Sequence, residues 1–90
     1  MQSYRFLIIG KVQGVYYRKT IYENATIVNF NGYVKNLKDG NVEACITCKD
    51  DLEKKQFRKI LKKGSMLSKV NTIEIFEIDD IFENGFEIRY

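Results

Sequence analysis

The sequence predicts an α+β chain in which two helices cover one face of an antiparallel sheet, in the order β-α-β-β-α-β. Three observations predict it. Apolar residues alternate along Tyr4, Phe6 and Ile8 and again along the segments VEACIT and VNTIEIFEI, which is strand periodicity. Between these lie two stretches whose apolar residues recur at helical spacing: Ile21, Ala25 and Val28, then Phe57, Ile60 and Leu61. The six glycines fall largely between the segments, as punctuation.

The first strand runs up to Gly10, with Arg5, Leu7 and Ile9 on the face opposite Tyr4, Phe6 and Ile8. The first helix is expected from about Tyr17 to Asn29, with Asn31-Gly32 ending its turn. GYVKNL and VEACIT then flank Asp39-Gly40, a hairpin signal that points to a tight primed turn. Asp50 and Glu53 resemble a capping box opening the second helix, and Lys62-Lys63-Gly64 closes it with cations and a left-handed cap. A fourth strand is expected over Val70 to Ile78, and Asn84-Gly85 turns the chain into a short C-terminal fifth strand, FEIRY. The result is a ferredoxin-like βαββαβ sandwich. Right-handed crossover makes the first two strands parallel with the third between them. The loop after Gly10 and the end of GYVKN then meet at one sheet edge, two strand spacings or roughly 10 Å apart.

Ninety residues are expected to form one domain, 1–90. No apolar run is long enough for a membrane span, and MQSYRFLIIG lacks the pattern of a signal peptide. A cytoplasmic location is the expectation, and two cysteines do not make a disulfide framework. The net charge of +3 is too mild and mixed to argue for nucleic acid, though it suits a small anion. With no histidine, the commonest general base and metal ligand are both missing. Cys45-Ile46-Thr47-Cys48 reads as C-x-x-C, but residues three apart on a strand point to opposite faces. Cys48 is therefore expected in the core and Cys45 outward, and no metal or other cofactor is expected. An RNA-binding sheet would carry stacking aromatics on the third strand, and VEACIT has none.

The segment GKVQGVYYR, residues 10–18, joins the first strand to the first helix. A loop feeding a helix start presents free N–H groups at the positive end of the helix dipole. Gly10 and Gly14 let backbone turn sharply and approach a ligand closely. Arg18 in the first turn is placed against the dipole, which makes sense where it meets an anion. Short glycine patterns alone leave a plain structural turn as the simpler reading. Asn36 ends the second strand, opposite this loop.

GKVQGVYYR followed by GYVKNLKDGNVE resembles the acylphosphatases, with their G-x-V-Q-G-V-x-F-R segment and later G-[aromatic]-V-[basic]-N-x-x-x-G-x-V-E segment. The similarity extends over essentially the whole chain, to the FEIRY ending. It implies the same ferredoxin-like sandwich and hydrolysis of small acyl phosphates to carboxylate and inorganic phosphate. It further implies that Arg18 binds the phosphate together with the loop Lys11, Val12, Gln13, Gly14, Val15, Tyr16 and Tyr17, while Asn36 positions the attacking water. Tyr17 stands where the family usually has Phe, Cys48 where a glycine commonly closes the third strand, and Lys11 for a frequent Arg. The expected partner is the substrate alone, without nucleic acid or membrane, and the chain is expected to be a monomer, with Leu7 and Ile9 available for weak association. The alternative is a non-catalytic acylphosphatase-like domain that binds carbamoyl phosphate or another anion. The chemistry is consistent with the composition. A carboxylic–phosphoric anhydride is already activated, so its carboxylate leaves without an acid's help, and the protein need only gather charge and orient water.

Overall fold

The computed structural model describes residues 1–90. Five strands and two helices follow in the order β1 (Gln2–Lys11), α1 (Tyr17–Ile27), β2 (Asn31–Asn36), β3 (Val42–Cys48), α2 (Asp51–Lys63), β4 (Lys69–Ile78) and β5 (Phe86–Arg89). The sheet order is β4-β1-β3-β2-β5, so β3 does lie between β1 and β2. Pairing is antiparallel from β4 through β2, and β5 adds to the outer edge of β2 in parallel, making the sheet mixed. Phe6 and Ile8, Val42, Ala44 and Ile46, Val34 and Phe86 share one face of this sheet and form a single buried cluster with Ile21, Ala25, Phe57 and Leu61 of the helices. The Phe57 ring stands edge-on to Phe6 and Phe30, with centroids 5.2 and 5.4 Å away.

Several junctions are built differently from the sequence expectation. Helix α1 stops at Ile27, so Val28 becomes its cap and lies half in solvent rather than on the buried stripe, which is Tyr17, Ile21 and Ala25. Asn29, at φ 61°, takes the left-handed position. The N–H groups of Asn29 and Phe30 reach back to Thr26 and Ala25 carbonyls at 3.1 and 3.0 Å, the paired bonds that close a helix C-terminus. Gly32 does not end this turn. It sits inside β2, where a side chain would collide with the Cys45 carbonyl.

The β2–β3 hairpin forms where Asp39-Gly40 indicates, but not as a two-residue primed turn. Leu37 N–H bonds the Asn41 carbonyl at 2.8 Å, and only Gly40 has positive φ. The result is a three-residue loop ending on a left-handed glycine. At α2, Asp50 caps the Glu53 N–H at 3.0 Å, while the Glu53 carboxylate turns back one residue further, to the Lys49 N–H at 2.7 Å.

The two cysteines do face opposite sides of the sheet. Cys48 joins the core, whereas Cys45 Sγ lies 3.3 Å from Tyr33 Oη on the far face. Cys45 is nonetheless buried. The connection after β4 crosses that face: Phe82 N–H bonds Thr47 Oγ1 at 2.8 Å, and the Phe82 ring packs edge-on to Tyr33.

Candidate active site

Near the end of strand β1, Gly10 is pressed against β4, where a Cβ would strike the Lys69 carbonyl. Its close approach therefore serves the sheet, not a ligand. Lys11 is exposed and pairs with Lys69. Past it the chain leaves the sheet, turns through Gly14 at φ 71° and enters α1 through Tyr16 at φ 60°. No hydrogen bond from backbone or side chain takes up the N–H groups of Val12 through Lys19; the first helical bond is Thr20 N–H to the Tyr16 carbonyl, 3.1 Å. No side chain caps this helix and its first turn holds no acid. A run of free donors at the positive end of a helix can hold an anion.

Two side chains anchor this loop. The Gln13 amide donates to the Leu37 and Asn41 carbonyls at 2.7 and 2.8 Å, tying the loop to the hairpin that follows Asn36. Ser65 Oγ donates to the Val15 carbonyl at 2.6 Å. Val15 itself is buried beneath the loop.

Tyr17 is wholly buried, and its hydroxyl donates to the Leu61 carbonyl at 2.7 Å, inside the last turn of α2, where carbonyls lack helical partners. That bond satisfies the extra hydroxyl relative to Phe, and burial pushes its pKa well up. The ring occupies the space left by Gly64, whose Cβ would meet it at 2.8 Å.

Arg18 makes no ion pair within the chain. Its Nη1 donates to the Arg89 carbonyl at 3.3 Å, and its guanidinium sits 4.9 Å from the Tyr90 ring centroid. Its charge is thus held in place without being neutralised. Asn36 alternates with Val34 and Gly32 on the helix-bearing side of β2, which aims it at the start of α1. Its Oδ1 is buried and has no hydrogen-bond partner, the one such side-chain atom in the chain. An orphan acceptor of this kind is costly unless a ligand or water serves it.

A cavity of about 340 Å³ joins these pieces, lined by Val12, Gly14, Tyr16, Tyr17, Arg18, Lys19, Asn36, Ile88 and Tyr90. Of the residues expected at the site, Lys11, Gln13 and Val15 have no part in this lining. Lys19, Ile88 and Tyr90 were not foreseen. FEIRY reads as a strand, but nothing local in it shows that it docks parallel to β2 and brings its end to Arg18. The C-x-x-C pair forms no second centre. The two thiols are separated by the sheet, and burial pushes each up to about 11.

The acylphosphatase family model matches residues 4–88. This chain belongs to the acylphosphatase family. An acylphosphatase of Methanocella arvoryzae is 36% identical over 89 residues, covering 99% of this chain and 100% of the relative. A crystal structure of acylphosphatase from Bacillus subtilis superposes with a TM-score of 0.90 at 33% identity, covering 100% of both chains. A structure of T. kodakarensis HypF matches with a TM-score of 0.83 at 29% identity, covering 100% of this chain and 12% of that one. The family and its fold make the chain an acylphosphatase, an enzyme of acyl phosphate hydrolysis. No helix is long and apolar enough to cross a membrane.

Proposed function

We propose that the cavity hydrolyses small acyl phosphates with the loop N–H groups and Arg18 holding the phosphoryl group and Asn36 orienting water. One observation carries this: Asn36, whose buried Oδ1 has no partner, lines the same cavity as an unpaired guanidinium and an uncapped helix start. The donors gather the charge that spreads over the phosphoryl oxygens in the transition state. The Asn36 amide hydrogen-bonds the attacking water and orients it so that a lone pair faces phosphorus. As the water oxygen bonds to phosphorus, the bond from phosphorus to the acyl oxygen breaks and its electron pair leaves with the carboxylate. The water's proton passes to a bound phosphate oxygen, since no protein base is at hand. Lys11, Gln13 and Val15 contribute through the backbone of the loop and its anchoring, and the lining residues Val12, Gly14, Tyr16 and Tyr17 shape it.

Residues from Val12 to Tyr90 line the one cavity, which supports residues 1–90 acting as one domain, and we propose that the chain acts as a monomer. A reducing cytoplasmic setting suits its two free cysteines. The same phosphate-holding geometry serves the alternative, a binding domain for carbamoyl phosphate or another anion, and the likeness to one-eighth of a HypF chain favours keeping it.

The test is hydrolysis of an aromatic acyl phosphate by wild type, Arg18→Ala and Asn36→Ala. Turnover in the wild type, with both variants folded but disabled, is expected. Phosphate binding without turnover in the wild type decides for the binding domain. A pH–rate profile governed by a protein group titrating near neutrality contradicts the proton route.

A further inference from the structure

We propose that Tyr16 is a specificity-determining residue whose ring packs on the acyl group, so that the site prefers acyl phosphates with a flat, apolar acyl portion. This rests on the reading of the cavity as an acyl phosphate site and adds the class of substrate.

Tyr16 sits at φ 60°, ψ 22°, a left-handed conformation that is unfavourable for a bulky residue. The other such non-glycine position, Asn29, is occupied by a residue whose short polar side chain tolerates it. Nothing in the fold offsets the strain at Tyr16. The residue is 77% exposed and its hydroxyl makes no hydrogen bond, in contrast to its neighbour Tyr17, which is 1% exposed and bonded to Leu61. The structural duty of residue 16 is carried by its carbonyl, which accepts from the Thr20 N–H and Thr20 Oγ1, and any residue supplies that. Glycine would fill the position without strain and is also a favoured residue before a helix. A strained, unpacked aromatic ring therefore lacks a folding role, and such strain gathers where function needs it.

Its place supplies the role. Tyr16 lines the cavity with Arg18, Lys19 and Asn36, which we place at the phosphoryl group, and with Ile88 and the Tyr90 ring, which offer apolar surface. A phosphate seated on the loop leaves its acyl substituent directed out past these walls. Against an aromatic ring, a planar acyl group gains offset stacking that a methyl group does not.

The experiment measures binding of two non-hydrolysable analogues, benzoylphosphonate and acetylphosphonate, by calorimetry to wild type, Tyr16→Gly and Tyr16→Phe. Wild type is expected to prefer the benzoyl compound. Tyr16→Gly should cut that preference by about 2- to 10-fold, and Tyr16→Phe should keep it. Because the glycine relieves strain, the thermal midpoint should hold or rise, by up to about 8 °C, so a lost preference cannot be assigned to a damaged fold. An unchanged preference in Tyr16→Gly, or none in wild type, overturns the assignment. Preference intact in a wild type that turns over no acyl phosphate upholds it and overturns catalysis alone. Failure of wild type to bind either analogue overturns both.

Discussion

The two helices begin in opposite ways. At α2 the protein supplies its own anions: Asp50 caps the Glu53 N–H, Asp51 adds charge in the first turn, and Glu53 reaches the Lys49 N–H. At α1 the corresponding positions are Tyr16, Tyr17 and Lys19, with no cap and no acid. One dipole is closed by the chain and the other is left open, with Arg18 beside it. The difference teaches that α2 starts in the way that stabilises a helix, whereas α1 gives up that stabilisation and leaves its donors open, as the proposed phosphate site requires.

Four substitutions break or sharpen this contrast. The largest effect is expected from Arg18→Ala, which should lower kcat for an acyl phosphate by about 10²–10³-fold, the cost of one charge-stabilising donor. The folded state should persist by circular dichroism, because the Arg18 side chain makes one exposed hydrogen bond, to the Arg89 carbonyl, and no ion pair. Lys19→Glu gives α1 the acid that Glu53 gives α2. Inorganic phosphate should bind about tenfold more weakly in a calorimetric titration, while the helix gains roughly 0.3–1 kcal/mol from its dipole. Asp50→Ala does the reverse at α2. It should cost about 1 kcal/mol of stability in urea unfolding, with kcat/KM within twofold of wild type. Tyr17→Phe restores the usual family residue and removes the bond to Leu61, at a cost of roughly 0.5–1.5 kcal/mol; a thermal melt reads it, and activity should follow stability only.

The fold was legible because each element has a local cause. Alternation along Tyr4 to Ile9, the helical stripe of Phe57 and Leu61, and the Asp50–Glu53 start all act within a few residues of themselves. What escaped depends on distant partners. Asn29 rather than Gly32 ends α1 because Gly32 is needed where β2 passes the Cys45 carbonyl, a contact between strands. Cys45 is buried on the outward face because residues near Phe82 return across it. At the site, Arg18 and Asn36 stand out through motif and topology. The Arg89 carbonyl and the Tyr90 ring that hold Arg18 do not, since only the parallel pairing of β5 with β2 brings them there. The Gln13 side chain ties the loop to the hairpin after Asn36, which no spacing reveals.

The most direct measurement is an amide NMR titration with inorganic phosphate. Shifts should concentrate on the N–H groups of Val12 to Lys19 and on the Asn36 side chain, and should vanish in Arg18→Ala. Shifts confined to the lysines of α2, or a pattern unchanged by the loss of Arg18, would contradict the open helix start as the phosphate site.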